Sequence, residues 1–114
     1  MKKILIIDDN HQNRLLIKMI LQKKGYTVIE AESGEKGLAL AFEQNPDLII
    51  LDMMMPEVDG WEVMERLKEN SKTENIPIII FSALDDLESI EADGFIPKPV
   101  DVNRLIQTVS EVIG

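Results

Sequence analysis

Short apolar runs alternate along the chain with segments in which apolar residues recur at helical spacing. The runs of strand length lie at residues 4–7, 26–29, 48–51, 78–81 and, more weakly, 95–96. The segments between them carry the period of amphipathic helices. This alternation is typical of a parallel sheet with helices on both faces, because each crossover between parallel strands needs a connection of helical size.

Capping residues indicate where the helices begin and end. Four helices are predicted, at residues 11–24, 34–44, about 60–69, and 102–113. Gly25 is expected to cap the end of the first helix, and Ser33 to cap the start of the second. Asp101 is the expected N-cap of the last helix. The apolar residues of that helix form one core-facing stripe: Val102, Leu105, Ile106, Val109, Val112 and Ile113.

Polar side chains follow the predicted strands at the points where the strands end. Asp8 and Asp9 follow the first strand, Asp52 the third, Ser82 the fourth, and Lys98 the fifth. The carboxyl ends of parallel strands lie along one edge, where such sheets bind their ligands. We therefore expect three acids, a hydroxyl group and an ammonium group to share one rim.

The chemistry of this rim points to phosphoryl transfer. Carboxylates that lie close together repel one another unless positive charge lies among them. Oxygen ligands favour a hard cation, and Mg²⁺ leaves coordination positions open for phosphate oxygens. Lys98 suits one phosphoryl oxygen as a point charge, and the Ser82 hydroxyl can donate to another. Asp52 is left as the nucleophile that attacks phosphorus and carries the phosphoryl group as a mixed anhydride.

Composition excludes several classes of function. The chain has 114 residues, the size of one domain, and we expect a single domain over residues 1–114. The formal net charge of -9 opposes direct binding to nucleic acid or to an anionic membrane. There is no Cys, and no apolar stretch is long enough for a signal peptide or a membrane span. The sequence therefore predicts a cytoplasmic protein, and any output domain is expected either to be separate or to lie beyond these residues.

Four blocks of sequence resemble the signature blocks of the receiver domain of two-component response regulators. They read KILIIDDN, PDLIILDMMMPEVDGWEV, IPIIIFSA and DGFIPKPV, and the likeness extends over essentially the whole chain. The resemblance implies Mg²⁺-dependent phosphoryl transfer to Asp52 from a histidine kinase or a histidine phosphotransfer protein. A downstream protein effector or a separate output domain would then receive the signal. Such a domain is not a turnover enzyme, since it catalyses only its own phosphorylation and slow dephosphorylation.

The resemblance also implies roles for individual residues. Ser82 and Lys98 resemble the phosphate-binding hydroxyl and lysine, and Ser82 and Phe95 match the two switch positions. The peptide bond between Lys98 and Pro99 is cis in this family, an isomer open to X-Pro bonds at modest cost. The implied Mg²⁺ ligands are Asp8, Asp9, Asp52 and the backbone carbonyl of Met54.

Several of these residues also have an ordinary structural interpretation. Asp9 or Asn10 could simply cap the first helix. Ser82 could be an unremarkable strand-end serine, and Lys98 a solvated lysine. A lone aromatic residue in a short strand, such as Phe95, usually belongs to the core. Their convergence at one rim favours the functional interpretation, least strongly for Phe95.

A docking surface is predicted from the geometry of the first helix. Leu15 and Met19 lie on a different stripe from the residues predicted to face the core, which are Leu16, Ile17, Ile20 and Leu21. Exposed apolar residues beside an active rim indicate docking. The first helix and the loop after the last strand, here Pro99 and Val100, resemble the face of receivers that meets the histidine-bearing donor.

The segment after the fourth strand departs from the family pattern. Only 16 positions separate Ser82 from Lys98, which is short of the usual span by roughly one and a half helical turns. A truncated helix or an irregular loop is predicted for DDLESIEAD, residues 85–93. In receivers, the helix after the fourth strand forms, with the last strand and helix, a face that often signals and dimerises. The shortening argues against regulated dimerisation through this face, so we expect a partner to contact mainly the last strand and helix.

Two apolar residues predict a long-lived phosphorylated state. Met54 lies two positions beyond Asp52, and Leu84 lies two positions beyond Ser82. Hydrolysis of an aspartyl phosphate needs a water molecule in line with the phosphorus–oxygen bond, and polar side chains beside the site could orient it. Met54 and Leu84 cannot do so, and their bulk opposes its approach.

Three other functions compete with phosphoacceptor signalling. A phosphatase of the haloacid-dehalogenase kind also uses a strand-end Asp, but it needs a second acid where this chain has Met54. A flavodoxin-like mononucleotide binder would have its phosphate repelled by Asp8 and Asp9. A receiver that acts only as a scaffold would not need the complete set of acids, hydroxyl and lysine. We therefore predict a flavodoxin-like, doubly wound α/β domain with strand order 2-1-3-4-5.

Overall fold

Every predicted strand is present in the computed structural model, which describes residues 1–83 and 91–114. The strands are β1 (Lys3–Ile7), β2 (Thr27–Ala31), β3 (Leu48–Leu51), β4 (Ile78–Ser82) and β5 (Gly94–Pro97). They form one parallel sheet in the order β2-β1-β3-β4-β5. The predicted topology is confirmed, and the predicted strand ends differ from the observed ones by at most two residues.

The helices begin and end close to the predicted caps. They are α1 (His11–Lys23), α2 (Gly34–Gln44), α3 (Gly60–Glu69) and α4 (Val102–Ile113). Asn10, and not Asp9, caps α1, while Ser33 and Asp101 cap α2 and α4 as predicted. Gly25 follows α1 with a positive φ of 92°, the left-handed conformation that favours glycine after a helix. Within residues 1–83 and 91–114, none of the helices has the length and apolarity that crossing a bilayer requires.

Two hydrophobic layers cover the sheet, because side chains alternate between its faces along each strand. Leu5 and Ile7 of β1 pack on the face that carries α2 and α3. Ile4 and Ile6 pack on the opposite face, with α1 and α4. Burial on both sides explains why the central strands are continuous apolar runs in the sequence.

The predicted core face of α1 is partly wrong. Ile17 and Leu21 are fully buried, and Ile20 is half-buried, but Leu16 is 43% exposed. Successive residues of a helix are rotated by roughly 100° about its axis, so turning Ile17 toward the sheet directs Leu16 away from it. Leu16 therefore joins Leu15 on the exposed side of the helix.

The predicted shortening between β4 and β5 falls mainly on residues 84–90, which lie outside the described residues. The truncated helix therefore stays a prediction. On the β5 side of this segment, Asp93 is bound at both of its polar ends. Its backbone N–H donates to the Ile78 carbonyl at 2.9 Å, and its carboxylate accepts from the Ile78 N–H at 2.8 Å. These bonds fix the point at which the chain returns to the sheet.

The close packing of Gly60 gives a test of the fold beside the rim. A Cβ added at Gly60 would lie 2.5 Å from the Met53 Cα and 2.7 Å from the Asp52 carbonyl oxygen. Backbone atoms cannot turn aside as a flexible side chain does. We predict that Gly60→Ala lowers the free energy of unfolding by about 1–3 kcal/mol, measured by urea denaturation followed by circular dichroism.

Glu65→Ala is the matched control, because Glu65 is exposed on the same helix. It should change the free energy of unfolding by no more than about 0.5 kcal/mol. Equal stabilities for the Gly60 and Glu65 variants would contradict the close approach of α3 to the end of β3.

Candidate functional site

The parallel ladder continues one residue beyond the strands and thereby aligns the rim residues. The Asp8 N–H donates to a β2 carbonyl at 3.1 Å, and the Asp52 N–H donates to the Ile7 carbonyl at 2.9 Å. At the edge of the sheet formed by β5, the Lys98 N–H donates to the Ser82 carbonyl at 3.1 Å. These backbone bonds bring the residues after β1, β3 and β5 to one edge.

Three carboxylates converge at this edge, as the sequence predicts. Asp8, Asp9 and Asp52 each offer an oxygen atom, and these atoms lie within 4.8 Å of one another. Asp8 and Asp52 are buried, whereas Asp9 is exposed, so the cluster opens to solvent on one side. A set of oxygen donors with an open side fits a hard cation such as Mg²⁺.

The Lys98 ammonium group lies between the two buried carboxylates. Its Nζ is 3.2 Å from Asp52 Oδ2 and 3.4 Å from Asp8 Oδ2. The same Nζ lies 5.0 Å from the centre of the Phe81 ring, within the range of a cation–π contact. Lys98 therefore supplies the positive charge that the neighbouring acids require.

The two oxygens of Asp52 have different partners. Oδ1 accepts a hydrogen bond from the Met54 N–H at 3.1 Å, and Oδ2 faces Lys98. Burial raises the pKa of the Asp52 carboxyl, and the negative charge of Asp8 raises it further, while the Met54 amide and the Lys98 ammonium oppose the shift. Asp52 is thus a desolvated carboxylate whose orientation is fixed from both sides.

Residues at the start of α1 that were not predicted to belong to the site hold Asp8 in place. Its Oδ1 accepts from the Asn10 N–H at 2.8 Å, and its Oδ2 from the Asn13 side-chain amide at 3.3 Å. Arg14 donates from Nη1 to the Asp8 carbonyl at 2.8 Å and pairs through Nε with Glu30 at 3.3 Å. Their position in the first turn of α1, directly after the acidic pair, is the signal that could have identified them.

The two predicted switch residues lie on neighbouring strands. Ser82 is fully buried at the end of β4. Phe95 is half-buried in β5 and packs against the core on the α2 and α3 face, as the ordinary structural interpretation requires. It also lines an open depression of about 500 Å³ together with Arg104 and Thr108 of α4. Its role as a switch stays a prediction.

The residues predicted to dock a partner differ in their exposure. Leu15, Met19 and Pro99 are exposed, while Val100 is half-buried and packs against the core on the α1 and α4 face. The peptide bond between Lys98 and Pro99 is cis, as the resemblance implies. The exposed apolar surface of α1 is larger than predicted, since it includes Leu16.

Comparison with proteins of known family identifies the relatives of the chain. Residues 4–110 match the response regulator receiver domain family. The polar-differentiation response regulator DivK of Brucella ovis is 37% identical over 119 residues, which cover 99% of this chain and 97% of that protein. The DNA-binding dual master transcriptional regulator RpaA of Synechocystis is 39% identical over 99% of this chain. The chain spans 49% of the length of RpaA.

Solved structures agree with this assignment. The chemotaxis protein CheY4 of Vibrio cholerae superposes with a TM-score of 0.91 at 30% identity, with 98% of each chain covered. A receiver domain protein from Clostridium thermocellum gives a TM-score of 0.88 at 29% identity, with 99% of this chain and 94% of that chain covered. Fold, rim residues and relatives thus agree that the chain belongs to the response regulator receiver domain family of two-component systems.

Proposed function

We propose that Asp52 accepts a phosphoryl group from the phosphohistidine of a histidine kinase or a histidine phosphotransfer protein. The observation that carries this proposal is the placement of one buried carboxylate 3.2 Å from Lys98 and beside Asp8 and Asp9, at the strand ends of a receiver domain. Receiver domains are signalling domains that interact with such donors and with output effectors. In this role the chain catalyses only its own phosphorylation and slow dephosphorylation.

The acidic cluster is the proposed metal site. Asp8, Asp9, Asp52 and the backbone carbonyl of Met54 would hold Mg²⁺. When bound, the cation would offset the repulsion between the carboxylates and an incoming phosphoryl group. The Met54 backbone N–H donates to Asp52, so the main chain of Met54 lies beside the acidic cluster, and this supports the proposed role of its carbonyl.

The side chains of the rim perform the transfer. An Asp52 carboxylate oxygen attacks phosphorus in line, and the phosphorus–nitrogen bond to the donor histidine breaks as the new phosphorus–oxygen bond forms. The Lys98 ammonium group, which lies 3.2 Å from Asp52 Oδ2, donates a charge-assisted hydrogen bond to a phosphoryl oxygen once the group is transferred. The Ser82 hydroxyl donates to another phosphoryl oxygen.

The added charge is the proposed signal. It draws Ser82 toward the phosphoryl group and lets Phe95 turn inward, which shifts a pre-existing equilibrium. Phe95 lies between the core and an open depression beside α4, and this position supports a change readable by a partner there. The donor would dock on Leu15, Met19 and the loop at Pro99 and Val100. The cytoplasmic location stays a prediction.

The phosphoacceptor role predicts the behaviour of one conservative variant. Incubation with acetyl phosphate and Mg²⁺ should add one phosphoryl group to the wild type, seen by intact mass, and none to Asp52→Asn, because the amide is not a nucleophile. Asp101→Asn is the matched control, since Asn caps a helix about as well as Asp. Labelling that survives Asp52→Asn would show that another residue is the acceptor.

The proposed Mg²⁺ site can be followed through Trp61, the one Trp of the sequence. Trp61 is exposed and lines a depression with Met54 and Asp59, directly beside the loop after Asp52. Addition of MgCl₂ should change its fluorescence and raise the melting temperature. Asp9→Asn should weaken the apparent affinity by about tenfold or more. If Asp9→Asn binds Mg²⁺ with the same affinity as the Asp101→Asn control, Asp9 is not a ligand of the metal.

The apolar residues at positions 54 and 84 of the sequence predict a slow decay. Met54 is exposed, and Leu84 lies outside the described residues. In excess Mg²⁺ the phosphorylated wild type should decay more slowly than the double variant Met54→Asn with Leu84→Glu, because polar side chains can orient the attacking water. A wild type that decays as fast as the double variant, or faster, would rule out an apolar shield.

A further inference from the structure

Three consecutive methionines follow Asp52, and they differ sharply in exposure. Met54 is 59% exposed, whereas Met53 is 0% and Met55 is 7% exposed. The two buried methionines belong to the core on the α2 and α3 face. A small oxidant in solution therefore reaches the sulfur of Met54 far more readily than the sulfur of either neighbour.

Met54 is also tied to the acceptor carboxylate. Its backbone N–H donates to Asp52 Oδ1 at 3.1 Å. Its side chain lines an open depression of about 320 Å³ together with Asp59 and Trp61. The exposed side chain of Met54 therefore belongs to a residue whose backbone is bound to the acceptor carboxylate.

We propose that Met54 is a redox-sensitive modification site at which oxidants of the peroxide class shorten the life of the phosphorylated state. This role of Met54 rests on the proposed function of Asp52. In the reaction, the thioether sulfur attacks one oxygen of hydrogen peroxide. The sulfur–oxygen bond forms as the peroxide oxygen–oxygen bond breaks. The sulfur loses two electrons, and the second oxygen leaves as water with both peroxide hydrogens.

Oxidation reverses the polarity of the side chain and leaves the backbone unchanged. The sulfoxide is a polar hydrogen-bond acceptor in place of an apolar sulfur. It can orient a water molecule as Asn at position 54 would, while the Met54 N–H still donates to Asp52. We expect the decay rate to rise by a few-fold to about tenfold, less than the roughly 100-fold of a true general base.

Met19 provides an internal control on the same molecule. It is 57% exposed, nearly the same as Met54, but it lies on α1. Peroxide should therefore oxidise both residues, and only the sulfoxide at Met54 should change the decay rate. Met54→Leu and Met19→Leu separate the two effects, since Leu is apolar and resists oxidation.

The experiment compares the decay rate of each protein before and after peroxide. The protein is treated with hydrogen peroxide and then catalase, phosphorylated with acetyl phosphate and Mg²⁺, and followed by intact mass. Peptide mapping identifies the oxidised methionines. The ratio of rates should be a few-fold to about tenfold for the wild type and for Met19→Leu, and near one for Met54→Leu. Methionine sulfoxide reductase should restore the slow decay.

Several results would overturn the proposal. A ratio near one in wild type that carries the Met54 sulfoxide would do so, as would an equal acceleration in Met54→Leu. Oxidation of Met53 or Met55 as extensive as that of Met54 would refute the selectivity. If untreated wild type gains no phosphoryl mass, the proposed function of Asp52 itself fails. If wild type is phosphorylated normally but its decay rate does not change on oxidation, only the redox proposal fails.

Discussion

Two like charges buried side by side are the constraint on which the rest of the structure depends. Removing a carboxylate from water costs several kcal/mol even after the protein relaxes, and a second carboxylate beside it adds repulsion. Asp8 and Asp52 withstand this because Lys98 lies within 3.4 Å of both. Backbone N–H groups of Asn10 and Met54 bind the remaining oxygens. The arrangement requires the ends of β1, β3 and β5 to stay in register, which the buried sheet between two helical layers ensures.

The charges of Asp8, Asp52 and Lys98 would also make the rim respond to phosphorylation. A phosphoryl group on Asp52 would add negative charge where Lys98 is the nearest cation, so the ammonium group and the Ser82 hydroxyl would be drawn toward it. Arg14 and Asn13 hold Asp8 from α1, and this links the acidic rim to the helix whose Leu15, Leu16 and Met19 are exposed. The proposed docking surface and the side chains that hold Asp8 would thus lie on the same helix.

Topology and rim composition could be predicted from the sequence, because short apolar runs and helical periods indicate the element types and parallel strands bring their carboxyl ends to one edge. The exposure of Leu16 could not, since a difference of one residue in the width of a buried stripe depends on how α1 packs against the sheet. The contacts of Asn13 and Arg14 with Asp8 also escaped prediction, because polar residues in a first helical turn usually face solvent. The predicted truncation between β4 and β5 concerns mainly residues 84–90, outside the described ranges.

The central claim is that one of three clustered carboxylates, Asp52, carries the phosphoryl group. Borohydride reduces an acyl phosphate to an alcohol, which converts a phosphorylated aspartate to homoserine and marks the site permanently. Peptide mapping of protein treated with acetyl phosphate, Mg²⁺ and then borohydride should find homoserine at position 52, with Asp8 and Asp9 unchanged. Homoserine at position 8 or 9, or at none of the three, would contradict the account.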